Sequence, residues 1–161
     1  MTTNTPLKSD HQKRVEEFMD KAEQEVPARL VQLTQKTRLL RAKLILEEAI
    51  ETITKGLGVS IYTTDRDDYT NVESIEDLDL SIKDTYDLIE LVDGCCDLKV
   101  VTTGTLSTLG LPDEPFQKIV DKKNLEKFGP GGYRREDGKW VKPSDFVGPE
   151  AAIRQELKKY E

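Results

Sequence analysis

Two sets of carboxylates in the sequence are spaced to act together. Glu47, Glu48 and Glu51 lie in "KLILEEAIETI", residues 43 to 53; Glu90, Asp93 and Asp97 lie in "DLIELVDGCCDLKVV". On a helix, residues three and four apart share a face, so each set directs its acids toward one region of space. The second segment is apolar nearly all round, with Leu88, Ile89, Leu91, Val92, Leu98, Val100 and Val101, and is expected to be buried or nearly so. Six acids converging in such a setting repel and raise one another's pKa values. Either they splay to solvent on separate faces, or divalent cations sit between them. Oxygen ligands without His or Cys select Mg²⁺ or Mn²⁺ over zinc, and helix bundles are an established place for such sites. One E-E-x-x-E is ordinary on a solvated helix face. Two acidic sets on two apolar helices of one small chain favour the metal reading.

The elements that must position these acids are helical. Apolar periodicity and end signals predict helices over residues 10–26, 28–55, 84–109 and 113–128. In the first, Val15, Phe18, Met19 and Ala22 make one apolar stripe, Asp10 can cap the start and Pro27 marks the end. The second closes at "KGLG", where Gly56 and Gly58 suit a left-handed cap. Between the second and third helices lies an acidic insertion, residues 59–83. Val59 and Ile61 can begin a short strand there, with Val72 and Ile75 as its partner, and a loosely folded loop fits equally well. The tail after the fourth helix is rich in Gly and Pro, and "REDGKW" reads as a tight turn. The expected architecture is one all-α domain over residues 1–161, bundle-like, with four helices and an irregular tail.

The chain of 161 residues carries 31 acidic and 24 basic side chains, a formal charge of −7, which argues against general nucleic-acid affinity. No apolar run is long enough to span a bilayer, and the N-terminal residues lack an apolar signal core, so a cytoplasmic location is expected. The two cysteines, Cys95 and Cys96, are neighbours, expected to pack as small hydrophobes. Charge is segregated: residues 65–97 hold twelve acids against two bases, and residues 118–142 hold eight bases against four acids. That division suits a metal ion and a polyanion together, or simple attraction between the two segments. His11 has no partner in the sequence and reads as a surface residue.

These residues resemble the all-α nucleoside triphosphate pyrophosphohydrolases, the MazG-like and phosphoribosyl-ATP pyrophosphohydrolase group. E-E-x-x-E on one helix, then E-x-x-D with a further Asp four residues on, carries the likeness. "RLLRAKLILEEAIETI", "DLIELVDGCCDLKVVTTGTLSTLGLP" and "FQKIVDKKNLEKF", with Asn124 and Lys127 as its N-x-x-K element, extend it. The tail "YRREDGKWVKPSDFVGPEAA" is similar to the phage-type branch. The acidic insertion is a departure, since compact members lack it. The resemblance implies a MazG-type fold and cleavage of a triphosphate between its α and β phosphates. It implies that Glu47, Glu48, Glu51 and Asp93 are the main metal ligands, completed by Glu90 and Asp97. It also implies a homodimer or homotetramer. Such chemistry needs positioning and charge neutralisation more than covalent help, with Mg²⁺ or Mn²⁺ activating a water. Glu48 is the expected base. Asn124, Lys127, Arg134 and Lys139, with Arg135 or Lys142, are the expected phosphate contacts. Trp140 and Tyr133 either stack on a base or cover the core. The expected substrate is a (deoxy)nucleoside triphosphate, dGTP or GTP first. The alternatives are phosphoribosyl-ATP and a non-catalytic helical interaction module.

Overall fold

A computed structural model of the chain describes residues 8–65, 68–135 and 140–161. Its backbone is mostly helical, and it divides into two compact units, residues 29–88 and residues 1–28 with 89–161.

The unit of residues 29–88 is built on helix α2, Gln35–Glu51. Thr34 caps it, its hydroxyl accepting from the Thr37 amide at 3.1 Å. Residues 28–34 are therefore not helical, and the expected start at residue 28 moves to the first side chain able to satisfy the free amides of a first turn. The preceding segment is tied down instead by Tyr86, which accepts from the Leu33 amide at 3.0 Å and donates to Gln32 Oε1 at 2.9 Å. After Glu51 the helix widens into a π-turn, Thr52–Gly56, where the Leu57 amide reaches back to the Thr52 carbonyl at 2.9 Å. Gly58 ends it at φ +67°, the left-handed conformation expected of a closing glycine. Gly56 lies within the π-turn.

The acidic insertion folds. Strand β1, Ile61–Asp65, pairs antiparallel with β2, Asp68–Val72, in the register Ile61 opposite Val72. Ile75, expected in the second strand, opens a 3₁₀ turn, Ile75–Asp77, because the Asp77 carboxylate accepts from the amides of Glu73 and Ser74 at 2.8 and 2.9 Å. Among the described residues of this unit, Val72 and Ile50 are the buried apolar ones.

In the other unit, α1 is Asp10–Lys21. Ser9, not Asp10, is the cap, accepting from the Gln12 amide at 3.1 Å. The helix stops five residues short of the expected Val26 because Glu23 turns left-handed at φ 54°. Its amide bonds the Asp20 carbonyl, and the Gln24 amide bonds the Met19 carbonyl, the paired closure usually built on glycine. Helix α3, Leu88–Thr108, starts four residues later than expected, and Gly110 at φ +72° follows its end. Helix α4 is Asp113–Glu126, with Asp113 and Glu114 favourable in its first turn. A two-residue strand β3, Tyr133–Arg134, pairs with β4, Trp140–Val141. The turn expected in "REDGKW" falls mainly on residues 136–139, outside the described residues. The tail is not irregular to its end: Glu150–Leu157 forms a fifth helix, α5, which packs on α4 with Tyr160 against Phe116, ring centroids 5.9 Å apart. Half-buried Ala152, Ile153, Glu156 and Leu157 repeat at helical spacing, a periodic signal that the nearby Gly and Pro obscure.

The apolar stripe of α1 is its covered side, with Ala22 buried. Phe18 meets Phe128 at 5.1 Å, and Phe128 meets Trp140 at 4.8 Å. The Trp140 indole donates to the Lys127 carbonyl at 2.9 Å, so Trp140 covers the core. Two expectations for α3 are corrected. No residue of α3 is buried in the single chain, and Ile89, Val100 and Val101 are 79%, 69% and 65% exposed. Cys95 and Cys96 are likewise exposed rather than packed. An all-round apolar helix has a preference for cover, and the pattern does not say what supplies it.

Candidate active site

The α2 carboxylates stand on the last turns of a helix whose inner side is fixed by buried Ile50. Glu47 is half-buried, Glu48 and Glu51 are exposed, and all three project within about one and a half turns. Glu51 Oε1 already holds a cation: the Lys55 ammonium lies 2.8 Å away, one helical turn on. Glu90, Asp93 and Asp97 are exposed on the first three turns of α3. Among the described residues, no group of three or more His, Cys, Asp or Glu side chains is gathered as a metal cage. The donor chemistry nevertheless fits a hard divalent cation, being all carboxylate oxygen, and Lys55 shows that Glu51 accepts a positive charge where it stands.

The expected phosphate contacts divide. Asn124 and Lys127 are half-buried at the end of α4, where the Asn124 carbonyl accepts from the Lys127 amide at 3.3 Å. Arg134 is committed to Glu23, its guanidinium 3.0 Å from the carboxylate. Lys142 lies over the Phe146 ring at 5.2 Å. Lys139 lies outside the described residues.

His11 is not a partnerless surface residue. Its Nδ1 lies 3.0 Å from both oxygens of Asp121, a carboxylate only 4% exposed on α4. Arg14 Nε donates to the same carboxylate at 2.7 Å, and Gln117 Nε2 at 2.9 Å. The spacing of His11 and Arg14, three apart on α1, was the available signal, but the acid they share lies 110 residues from His11. Burial pushes the Asp121 carboxyl up. The hydrogen bonds from His11, Arg14 and Gln117 outweigh that and hold it below the ordinary value of 3.8. The unfolded chain therefore takes up the proton more readily. Stability from this group is present above pH 3.8 and is lost as pH falls through the lowered folded value. Acid unfolding followed by circular dichroism should show a shallower loss of stability below pH 3.8 for Asp121→Asn than for the natural chain.

Comparison with known proteins then bears on these carboxylates. The family model described as phosphoribosyl-ATP pyrophosphohydrolase matches residues 12–124, more than half of the chain and both acidic sets. The chain belongs to this family. With it the chain joins the pyrophosphohydrolase enzymes, hydrolases of the all-α superfamily that acts on nucleoside triphosphates. A crystal structure from Exiguobacterium sp. 255-15, of a protein provisionally assigned as an NTP pyrophosphohydrolase, is similar with a TM-score of 0.60 at 20% identity. The match covers 96% of this chain and 100% of that one, and places this member of the family in the same fold. No curated protein matches. Among the described residues, no helix is long and apolar enough to cross a membrane.

Proposed function

We propose that the chain is a metal-dependent pyrophosphohydrolase that cleaves a (deoxy)nucleoside triphosphate between its α and β phosphates, releasing a monophosphate and pyrophosphate. The observation that carries this reading is the family match over residues 12–124, which takes in E-E-x-x-E on α2 and E-x-x-D on α3 together. Glu47, Glu48, Glu51, Glu90, Asp93 and Asp97 hold Mg²⁺ or Mn²⁺. When bound, the cation neutralises phosphate charge and acidifies a water. Glu48 takes the proton of the attacking water, the role of a carboxylate in the set that is not fully engaged with metal. Asn124 and Lys127 hold the polyphosphate, with Lys139 assisting; Arg134 joins only by leaving Glu23. GTP and dGTP are the first substrates to try, on the likeness of the tail to the phage-type branch. Phosphoribosyl-ATP is the second reading, favoured by the description of the matching family itself. Residues 1–161 work as one catalytic domain in the cytoplasm, that of the host if the chain is of phage origin.

The test is product analysis. The protein is incubated with Mg²⁺ or Mn²⁺ and, separately, each NTP, each dNTP and phosphoribosyl-ATP. Monophosphate with pyrophosphate from a nucleoside triphosphate supports the first reading, and cleavage of phosphoribosyl-ATP alone supports the second. Release of orthophosphate, or no cleavage of any of them, overturns both.

The same proposal includes a homodimer or homotetramer, supported by the exposed apolar side chains of α3. Light scattering after gel filtration should give two or four chain masses. Glutamate at Val92 and Val100, 57% and 69% exposed, should shift the mass to one chain. A natural chain that runs as a monomer contradicts the assembly.

A further inference from the structure

The π-turn that follows Glu51 and the β1–β2 hairpin enclose a cleft of about 290 Å³ within the unit of residues 29–88. Thr54, Lys55, Ser60, Asn71, Val72 and Glu73 line it. Val72, 1% exposed, fixes the hairpin side. The polar lining combines the donors of Lys55, Ser60 and Asn71 with one carboxylate, that of Glu73. Thr54 Oγ1 already donates to the Ile50 carbonyl at 2.7 Å. Glu73 Oε1 accepts from Asn71 Nδ2 at 2.9 Å, which leaves the Asn71 amide a second hydrogen to give. Lys55 adds an ammonium with three donors, and Ser60 a hydroxyl. π-turns inside helices recur at functional sites, and this one begins immediately after a carboxylate of the proposed metal set.

Lys55 belongs to both places. Its ammonium is 2.8 Å from Glu51 Oε1, yet its side chain is 69% exposed and also borders the cleft. An exposed ion pair one turn apart on a helix is weak and screened by salt. A divalent cation on Glu51 both removes the partner and repels the ammonium, and the long, flexible lysine stem allows it to turn away.

We propose that Lys55 is a two-position cation: it neutralises Glu51 when no metal is bound and, once displaced, turns into the π-turn cleft to bind a phosphate-type oxyanion with Ser60 and Asn71. This rests on the metal reading of Glu51 proposed above. It goes beyond that reading by giving this chain a phosphate subsite within its own insertion and by coupling that subsite to metal occupancy.

Two affinities test it without any turnover. Free Mn²⁺ is followed by electron paramagnetic resonance. Inorganic pyrophosphate is titrated calorimetrically at saturating Mg²⁺. Lys55→Met should bind Mn²⁺ about threefold to tenfold more tightly, because a competing charge is gone. The same variant should bind pyrophosphate at least about tenfold more weakly, because a charge-assisted donor is gone. Lys55→Arg should restore pyrophosphate binding. Ser60→Ala should weaken pyrophosphate and leave Mn²⁺ unchanged. Opposite signs in Lys55→Met support the inference, since a merely structural role would weaken both. Mn²⁺ binding that is unchanged or weaker in Lys55→Met, or pyrophosphate binding that is unchanged, overturns it while the metal reading stands. A natural chain that binds no Mn²⁺ overturns the metal reading and this inference together.

Discussion

Glu48→Gln should lower pyrophosphate release by at least about 100-fold, the lower end of what a positioned general base contributes. The substitution keeps the size of the side chain and removes its charge and its ability to take a proton. Glu48 is exposed on the last turns of α2. The stability read from a thermal melt should therefore stay within the small range of surface substitutions, about 0.5 kcal/mol either way. Activity measured beside a thermal melt separates the two effects. A variant that retains full turnover removes Glu48 from the chemistry, and one that unfolds assigns it to the fold. Asp93→Asn extends the test to α3. If Asp93 is a metal ligand, its loss should raise the Mg²⁺ concentration needed for half-maximal rate, whereas the loss of a base leaves that requirement unchanged.

Asp121→Ala should clearly destabilise the unit that contains α1 and α4. The carboxylate is 4% exposed and receives Arg14 at 2.7 Å, Gln117 at 2.9 Å and His11 at 3.0 Å. Removing it strands three donors, two of them cationic or able to become so. Breaking a fully buried pair costs about 3–5 kcal/mol. Arg14 and His11 retain 29% and 37% of their side-chain exposure, so water recovers part of that loss. A cost of about 2–3 kcal/mol follows, equivalent to a fall of roughly 5–10 °C in a chain of this size. Asp121→Asn should lose less, because its amide oxygen still accepts from Arg14. A melting temperature that falls by less than about 2 °C in the alanine variant would show that aromatic packing, rather than this cluster, holds α1 on α4.

The helices and their acids were legible because both depend on local spacing. Val15, Phe18, Met19 and Ala22 declared the covered side of α1, and Glu47, Glu48 and Glu51 declared a shared face, through the 3.6-residue period alone. Boundaries were less legible. Thr34 and Ser9 won their caps by side-chain geometry, and Glu23 took a left-handed turn that composition assigns to glycine. α5 was hidden by the Gly and Pro around it. The hairpin was half-visible: Ile61 and Val72 were named as strand partners, but the pairing that excludes a loose loop needs two segments in register.

By itself the sequence determined the helical class, the two carboxylate sets, the likeness to the pyrophosphohydrolases and the closing glycine at Gly58. Apart from the likeness, which sums several such segments, each is fixed by residues within a turn or two of one another. Tertiary structure alone decided that His11 and Arg14 share Asp121 across 110 and 107 positions, that Arg134 is held by Glu23, and that Lys55 stands between Glu51 and a cleft bordered by the hairpin. A charge shows its type in the sequence. Which opposite charge it meets depends on how distant segments are brought together, and that is settled only when the apolar faces pack.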